Sequence, residues 1–341
     1  MKDSGPPSPP ANSPAGASFE AIASLDSIDR TSSDKASRTL SRSSPSAASR
    51  ADSTLRTHTH PTPTNTFLHR LRAGERQVGL WLALADAYPA EILAGIGYDW
   101  LLIDAEHAPN DVRSVLRELQ AIDSAAASLP AGRPRTEAVV RLPSADPVTV
   151  KRYLEIDART LLIPMIDTAE DAAAAVAATR YPPHGIRGMG SGLGRSSRWR
   201  RFEDYQAAAD TTTGVIVQIE SATAVKNAAA IARTPGADAV LLGPSDLAAS
   251  MGHAGNPGHP DVVAASCAAI RAARAETSPA GVMGSAAHLP DWLAAGARSS
   301  PSPPTWHCSR TPPLTSCSRH ARRLPRRTPA GRPPRCGAPG S

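Results

Sequence analysis

Two carboxylates in this sequence are placed to bind a divalent metal ion. Glu220 ends the apolar run VIVQIE, and Asp246 follows the run AVLLG in the segment Gly-Pro-Ser-Asp. Carboxylate oxygens are hard ligands that suit Mg²⁺, Mn²⁺ or a similar ion. Two protein ligands leave coordination positions for a bidentate 2-oxo acid, whose carbonyl the ion would polarise. The pair therefore predicts a metal centre for enolate chemistry.

Two side chains and two backbone groups could act together with this metal centre. His107 follows the run WLLID and can move a proton near neutral pH. Arg141 ends the run AVVR and can hold developing negative charge without losing its own charge. If Ser245 and Asp246 open a helix, their N–H groups would bind a carboxylate. Pro244 has no N–H to offer.

The segment from about residue 64 to 298 alternates apolar runs with helical patterns. This alternation predicts an α/β fold with a parallel sheet, and the length favours a (β/α)8 TIM barrel. Catalytic groups of such barrels lie at the carboxyl ends of the strands. A doubly wound open sheet is the alternative, but no Gly-rich turn follows the first strand. The seven predicted strands are Val78–Leu84, Trp100–Asp104, Ala138–Leu142, Thr160–Met165, Val215–Glu220, Ala239–Gly243 and Gly281–Gly284.

The regions on either side of the barrel differ from it in composition. Residues 1–63 are rich in Ser and Pro without a periodic apolar pattern, which predicts disorder. Residues 299–341 contain ten Pro and eight Arg where an eighth strand and a last helix are expected after Arg298. We therefore expect both elements to be missing. A frameshift near Arg298 is the hypothesis, because the displaced frame can encode a Val/Ala-rich run.

Charge and cysteine content exclude several classes of protein. The net charge of +6 comes from the tail, and residues 1–300 contain 29 basic and 31 acidic residues. The barrel is therefore not expected to bind nucleic acid. No run of about 18 apolar residues is present, so no membrane span is expected. Only Cys267 lies before the tail, so no disulfide framework is expected, which fits a reducing cytoplasm.

A glycine-rich segment, Arg180–Trp199, separates the fourth and fifth predicted strands. Its match to a nucleotide-binding GxGxxG pattern is imperfect, and no strand leads directly into it. We expect a loop over the active-site mouth. Its residues Arg187, Arg195 and Arg198 would attract an acidic substrate, or would simply be solvated at the surface.

At these motifs the sequence resembles the class II, metal-dependent pyruvate aldolases of the 4-hydroxy-2-oxoheptanedioate aldolase family, which also contains 2-dehydro-3-deoxyglucarate aldolase. The resemblance covers about Thr64 to Arg298. Its motifs are GLWLAL, YDWLLIDAEHAPND, VVRLPSADPV, TLLIPM, RYPPHGIRG, VQIES and GPSDLAASMGHAGNPGHP.

The resemblance implies a role for each site residue. Glu220 and Asp246 would bind Mg²⁺, Mn²⁺ or Co²⁺, and Gln218 would lie beside the metal and the substrate. Arg141 would bind the carbonyl and enolate oxygen of pyruvate. The amides of Ser245 and Asp246 would take the pyruvyl carboxylate.

The resemblance also implies a proton-transfer group, a reaction and an assembly. His107 would act as general base or acid, paired with a carboxylate that stands here as Glu155 in place of the family's Asp. The expected reaction is retro-aldol cleavage of 4-hydroxy-2-oxoheptanedioate to pyruvate and succinic semialdehyde, by a hexamer. The alternatives are a sugar-acid aldolase or an inactive product of a frameshifted gene.

Overall fold

The computed structural model describes residues 59–284 and 287–302. The strands are β1 Gln77–Leu82, β2 Trp100–Asp104, β3 Glu137–Arg141, β4 Thr160–Ile163, β5 Gly214–Ile219, β6 Ala239–Leu242, β7 Ala280–Val282 and β8 Ser299–Ser302. The helices are α1 Thr66–Arg72, α2 Ala87–Ala94, α3 Val112–Ala127, α4 Pro147–Glu155, α5 Ala169–Thr179, α6 Tyr205–Thr212, α7 Ala222–Lys226, α8 Ala228–Ala232, α9 Pro244–Ser250, α10 Pro260–Ala275 and α11 Leu289–Ala295.

All strand pairs in the sheet are parallel, and the strand order is the chain order from β1 to β8. Strands β1 to β7 overlap the seven predicted strands, so the α/β class with a parallel sheet is confirmed. Each of the strands β1 to β7 is followed by at least one helix on the outside of the curved sheet, as strand–helix alternation requires. Among the described residues, no helix is both long and apolar enough to cross a membrane.

The expectation of a missing eighth strand is corrected. The backbone of β8 pairs with β1 from Gln77↔Ser299 to Leu80↔Ser302, and with β7 at Gly281↔Ser299. Pairing of this kind uses backbone groups, so a short Ser/Pro sequence can close the sheet without the expected apolar residues. The barrel therefore extends past the predicted boundary at residue 298. The expected last helix and most of the predicted 1–63 extension lie outside the described residues.

Alternation along the strands gives the barrel two apolar layers. Leu101, Ile103 and Val140 point outward and pack under the helices. Leu102 and Val139 point inward and fill the barrel together with α1. Because successive residues of a strand face opposite sides, the inward side continues two residues later in each strand. This period positions the polar groups described below.

The amino-terminal end of the barrel is closed by α1. Asn65 caps this helix by accepting from the Leu68 N–H, and its Nδ2 donates to Thr160 Oγ1 at 2.8 Å. The ring of Phe67 meets that of Trp100 edge-on, with centroids 5.9 Å apart. A side chain at Gly79 would overlap the Trp100 ring, so this position needs glycine. The interior is thus packed at one end and open to polar groups at the other.

The glycine-rich segment lies at that closed end, so its predicted position over the mouth is wrong. It lies between α5 and α6, within the connection that leads from α5 to β5, and such a connection must lie at the amino-terminal ends of the strands. Arg195 Nη2 pairs with Asp123 Oδ2 at 2.7 Å, and Arg198 Nη1 pairs with Asp157 Oδ2 at 2.7 Å. These arginines bind the protein's own carboxylates.

Candidate active site

A buried ion pair joins β2 to β3 at their carboxyl ends. Asp104 and Arg141 continue the inward side of their strands, two residues after Leu102 and Val139. Arg141 donates from Nε to Asp104 Oδ1 at 2.9 Å and from Nη2 to Oδ2 at 2.6 Å. Burial opposes ionisation of Asp104, but the hydrogen bonds and charge of Arg141 outweigh it and hold the carboxyl pKa below its usual range.

Trp81 packs against this pair from β1. Its Nε1 donates to Asp104 Oδ2 at 3.1 Å, and the Arg141 guanidinium carbon lies 4.7 Å from the indole centroid. Two nitrogens of Arg141 are committed to Asp104. The remaining nitrogen, Nη1, forms an ion pair with Glu106 Oε2 at 2.7 Å. The guanidinium therefore has a fixed orientation and points one nitrogen toward the next acidic group.

Asp104 also shapes the loop that carries His107. Its Oδ1 accepts from the N–H groups of Glu106 at 3.0 Å and His107 at 3.2 Å. Asn110 Nδ2 donates to the Asp104 carbonyl at 2.9 Å. The His107 side chain is 64 % exposed, and its Nε2 lies 3.7 Å from Glu106 Oε2. This histidine is therefore accessible at the barrel mouth, next to a carboxylate of its own loop.

Glu220 lies deeper, at the end of β5. Its Oε1 accepts from the Met165 N–H at 2.8 Å, and its Oε2 accepts from Gln218 Nε2. Burial, together with the charges of Glu106 and Asp246, raises the pKa of Glu220 to about 7 despite those hydrogen bonds. Met165 has the left-handed φ of 54°, which is uncommon for a residue with a side chain.

Asp246 enters the site from the first turn of α9. Both it and Ser245 are exposed, and Gly243 precedes their helix. A Cβ at Gly243 would lie 2.8 Å from Glu220 Oε2 and 3.1 Å from Gln218 Nε2. Glycine at this position therefore lets the backbone approach the Glu220 carboxylate closely.

The donor set fits a divalent cation. The charges of Glu106 and Asp246 oppose ionisation of Glu220, and the charge of Asp246 also opposes ionisation of Glu106. Gln218 Oε1 is buried without a hydrogen-bond partner. A cation bound among these oxygens would attract them and offset the repulsion between the carboxylates. Oxygen donors are those that Mg²⁺ and Mn²⁺ prefer.

Glu155 does not join these residues within one chain. It ends α4, close to the start of β4, so it lies at the closed end of the barrel. Its Oε1 pairs with Arg187 Nη2 at 3.1 Å, and the Arg187 side chain is fully buried beside Tyr181 and Tyr205. The structure brings together the other predicted residues, His107, Arg141, Gln218, Glu220, Ser245 and Asp246, at the open end.

Several groups of this site were not among the predicted site residues. Asp104 and Glu106 stand beside His107 in the motif DAEH, and the spacing of two from Leu102 places Asp104 inward. That spacing was a usable signal. No such sequence signal exists for the Met165 N–H, because its role depends on a left-handed backbone that the residue type does not predict.

Comparisons with known proteins show the family to which this chain belongs. Residues 77–296 match the model of the family described as HpcH/HpaI aldolase/citrate lyase. A protein from Salmonella dublin named 4-hydroxy-2-oxo-heptane-1,7-dioate aldolase is 52 % identical over 219 residues, which is 64 % of this chain and 80 % of that protein.

Solved structures of the same family share the fold. An HpcH/HpaI aldolase/citrate lyase family protein from Burkholderia cenocepacia J2315 is 40 % identical, with a TM-score of 0.68 over 76 % of this chain and 100 % of that chain. An HpcH/HpaI aldolase from Desulfitobacterium hafniense DCB-2 is 26 % identical, with a TM-score of 0.63 over 75 % and 96 %. The chain belongs to the HpcH/HpaI aldolase/citrate lyase family and is a carbon–carbon lyase of the aldolase type.

Proposed function

We propose that this chain cleaves 4-hydroxy-2-oxoheptanedioate to pyruvate and succinic semialdehyde, with the help of a divalent metal ion. The observation that carries the proposal is the meeting of Glu106, Glu220 and Asp246 with the fixed guanidinium of Arg141 at the open end of the barrel. The name of the relative that is 52 % identical supports this substrate.

Glu220 and Asp246 would hold the ion, which is Mg²⁺, Mn²⁺ or Co²⁺ in this proposal. When bound, such an ion supplies Lewis-acid polarisation of the 2-oxo group. No lysine is needed for a Schiff base. Lys151 and Lys226 lie on α4 and α7, and neither is at the carboxyl end of a strand.

Arg141 would bind the oxygen that becomes negative during cleavage. Its Nη1 is the nitrogen that Asp104 leaves free, and it already faces the carboxylates of the site. A guanidinium held by two hydrogen bonds needs no reorganisation when charge develops on the substrate, which favours the transition state. Asp104 would therefore act as a positioning residue for Arg141.

His107 would remove the proton from the 4-hydroxyl of the substrate. The C3–C4 bond then breaks, C4 leaves as the aldehyde, and the electron pair of the bond moves to C3 and delocalises onto the 2-oxo oxygen beside Arg141. Return of a proton to C3 gives pyruvate. Because His107 is exposed, it can reach a substrate at the mouth.

The pyruvyl carboxylate would bind the N–H groups of Ser245 and Asp246. Amides in the first turn of a helix have no intrahelical partner, and they carry partial positive charge. The proposed pairing of Glu155 with His107 needs a second copy of the chain, since the two residues lie at opposite ends of one barrel. We therefore keep the homo-oligomer, a hexamer, as part of the proposal, together with a cytoplasmic location.

Pyruvate release from several 4-hydroxy-2-oxo acids tests the function. We expect turnover of the heptanedioate, loss of turnover in EDTA, and recovery with Mg²⁺ or Mn²⁺. Glu220→Gln should be inactive, whereas Glu170→Gln, which changes an exposed carboxylate on α5, should retain activity. Faster cleavage of a sugar acid would reject the substrate. No cleavage of any 2-oxo acid by a folded, metal-loaded chain would support the inactive product.

A further inference from the structure

A second cluster of metal-ligating side chains lies at the open end of the barrel, apart from Glu220. In the part of the chain that the structure describes, ligand atoms of His253, His259 and Asp261 all lie within 4.8 Å of one another. We propose that these three residues form a site for a transition-metal ion of the Zn²⁺ type. The site is separate from the oxygen-ligand site of the proposed aldolase reaction.

The ligand atoms are spaced for coordination rather than for hydrogen bonding. His253 Nε2 lies 3.6 Å from Asp261 Oδ2, and His259 Nδ1 lies 3.7 Å from the same oxygen. These distances are long for hydrogen bonds. A tetrahedral ion with ligand bonds of about 2.0–2.1 Å holds its ligands roughly 3.3 Å apart, so each of these two distances to Asp261 would need to shorten by only a few tenths of an ångström.

The two imidazole rings are stacked face to face. Their centroids are 3.6 Å apart, and their planes differ by 12°. Both rings direct a nitrogen toward Asp261. His259 Nδ1 also accepts a long hydrogen bond from the Asp261 N–H at 3.3 Å, as the cap of α10, and a metal ion at Nδ1 would replace that bond.

The loop that carries the histidines has a defined backbone. The His253 N–H donates to the Ala248 carbonyl at 2.7 Å, and the His259 N–H donates to the Asn256 carbonyl at 3.0 Å. Gly252 and Gly255 adopt left-handed φ values of 83° and 79°, which favour glycine. A loop fixed in this way presents its ligands with little loss of conformational entropy on binding.

A further imidazole borders the same loop. His288, which precedes α11, has its Nε2 2.9 Å from the position of a Cβ at Gly258, so a larger residue there would displace the ring. Imidazole nitrogens suit Zn²⁺ and related ions better than Mg²⁺. The chemistry of this cluster therefore differs from that of the carboxylates around Glu220.

Zn²⁺ uptake by the full chain tests the site. Equilibrium dialysis against Zn²⁺, with excess Mg²⁺ present to fill the oxygen-ligand site, would compare the wild type with His253→Ala and His259→Asn. Asn keeps a helix-capping side chain at position 259. His184→Ala is the matched control, because His184 also pairs with an aspartate, Asp210, but at the closed end of the barrel.

The wild type and His184→Ala should bind about one Zn²⁺ more than the other two variants, or bind it at least about tenfold more tightly. Zn²⁺ should also raise the Tm of these two proteins more than that of His253→Ala. Histidines and cysteines outside the described residues are common to all four proteins, so they cannot produce the difference. Equal Zn²⁺ uptake by all four would overturn the proposal.

Discussion

Asp104 and Arg141 stand at the same register position of β2 and β3, and two hydrogen bonds join them. Both side chains are less than 5 % exposed. The carboxylate therefore uses its two oxygens to fix one edge of the guanidinium, and the remaining nitrogen faces Glu106. The orientation of the Arg141 guanidinium is therefore set by Asp104, a residue that need not touch the substrate.

Asp104→Asn should lower kcat by about 100-fold, with a smaller effect on KM, because Arg141 loses its fixed orientation rather than its charge. The free energy of unfolding should also fall by about 3 kcal/mol, since one partner of a buried pair is neutralised. Steady-state kinetics at a temperature where the variant is folded would measure the effect.

The matched control for this change is Asp99→Asn. Asp99 precedes β2 and pairs with Arg70 at the closed end of the barrel, with 2.9 Å between Oδ1 and Nη1. Its loss should reduce stability and leave kcat nearly unchanged. If Asp99→Asn reduced kcat as strongly as Asp104→Asn, the effect at Asp104 would be one of general stability.

Metal binding should depend on pH through Glu220. The pKa of its carboxyl is about 7, so a proton competes with the metal ion below that pH. We expect the Kd for Mn²⁺ to rise about tenfold for each unit of pH below about 7 and to level off above it. Titration calorimetry from pH 5.5 to 8.5 would measure it, and a flat profile would contradict the assignment.

The same shift predicts a stability effect of defined sign. The folded pKa of Glu220 lies above its ordinary value of 4.5, so metal-free protein should lose stability as pH rises from about 4.5 to about 7. Glu220→Gln, which is neutral at every pH, should lack this loss and be the more stable protein at pH 8 without metal. Chemical unfolding in EDTA at pH 5 and pH 8 would compare the two.

Gly243→Ala should weaken metal binding without changing the charge of the site. A Cβ at this position would lie 2.8 Å from Glu220 Oε2, so the carboxylate would have to move. We expect the Kd for Mn²⁺ to increase by at least about tenfold. Gly190→Ala is the control, because a Cβ there would have no heavy atom within 4 Å and the backbone has no left-handed φ. Equal affinities for the two variants would be inconsistent with close approach at Gly243.

Glu118 on α3 provides a separate pH test that does not involve a proposed metal ligand. Its side chain is buried on α3, Oε2 has no hydrogen-bond partner, and burial raises the pKa to about 8. Wild-type stability should fall relative to Glu118→Gln by about 1.4 kcal/mol per pH unit between about 4.5 and 8. Urea unfolding across this range would show it. Glu91→Gln, an exposed carboxylate on α2, should show no such trend.

The sequence was sufficient to predict the seven strands and the side chains that follow them. Strand–helix alternation and the inward period of two together determine that Asp104, Arg141, Gln218 and Glu220 meet at one end. Patterns of this kind depend only on residues that are close together in the sequence. They can therefore be recognised before the tertiary structure is known.

Two predictions about the fold are wrong because they rest on side-chain composition rather than on the order of the elements or on backbone pairing. The glycine-rich segment is expected at the mouth because its composition suits an active-site loop, but its Arg195 and Arg198 pair with Asp123 and Asp157 at the closed end. Its position after a helix and before a strand is the better guide, because such connections lie at the amino-terminal ends of the strands. The eighth strand was judged from side chains, whereas its pairing with β1 depends on the backbone.

Closure of the barrel by β8 has a consequence for how the molecule opens. The seam between β7 and β1 rests on four residues, one of them Pro301, which has no N–H to donate. Two further backbone hydrogen bonds precede these four residues. The Gln77 N–H donates to the Arg298 carbonyl, and the Arg298 N–H donates to the Ala280 carbonyl. Amide hydrogens along β1 and β7 that face this seam should therefore exchange with solvent sooner than those between β2 and β3, and the ring of strands would part there first when the protein unfolds.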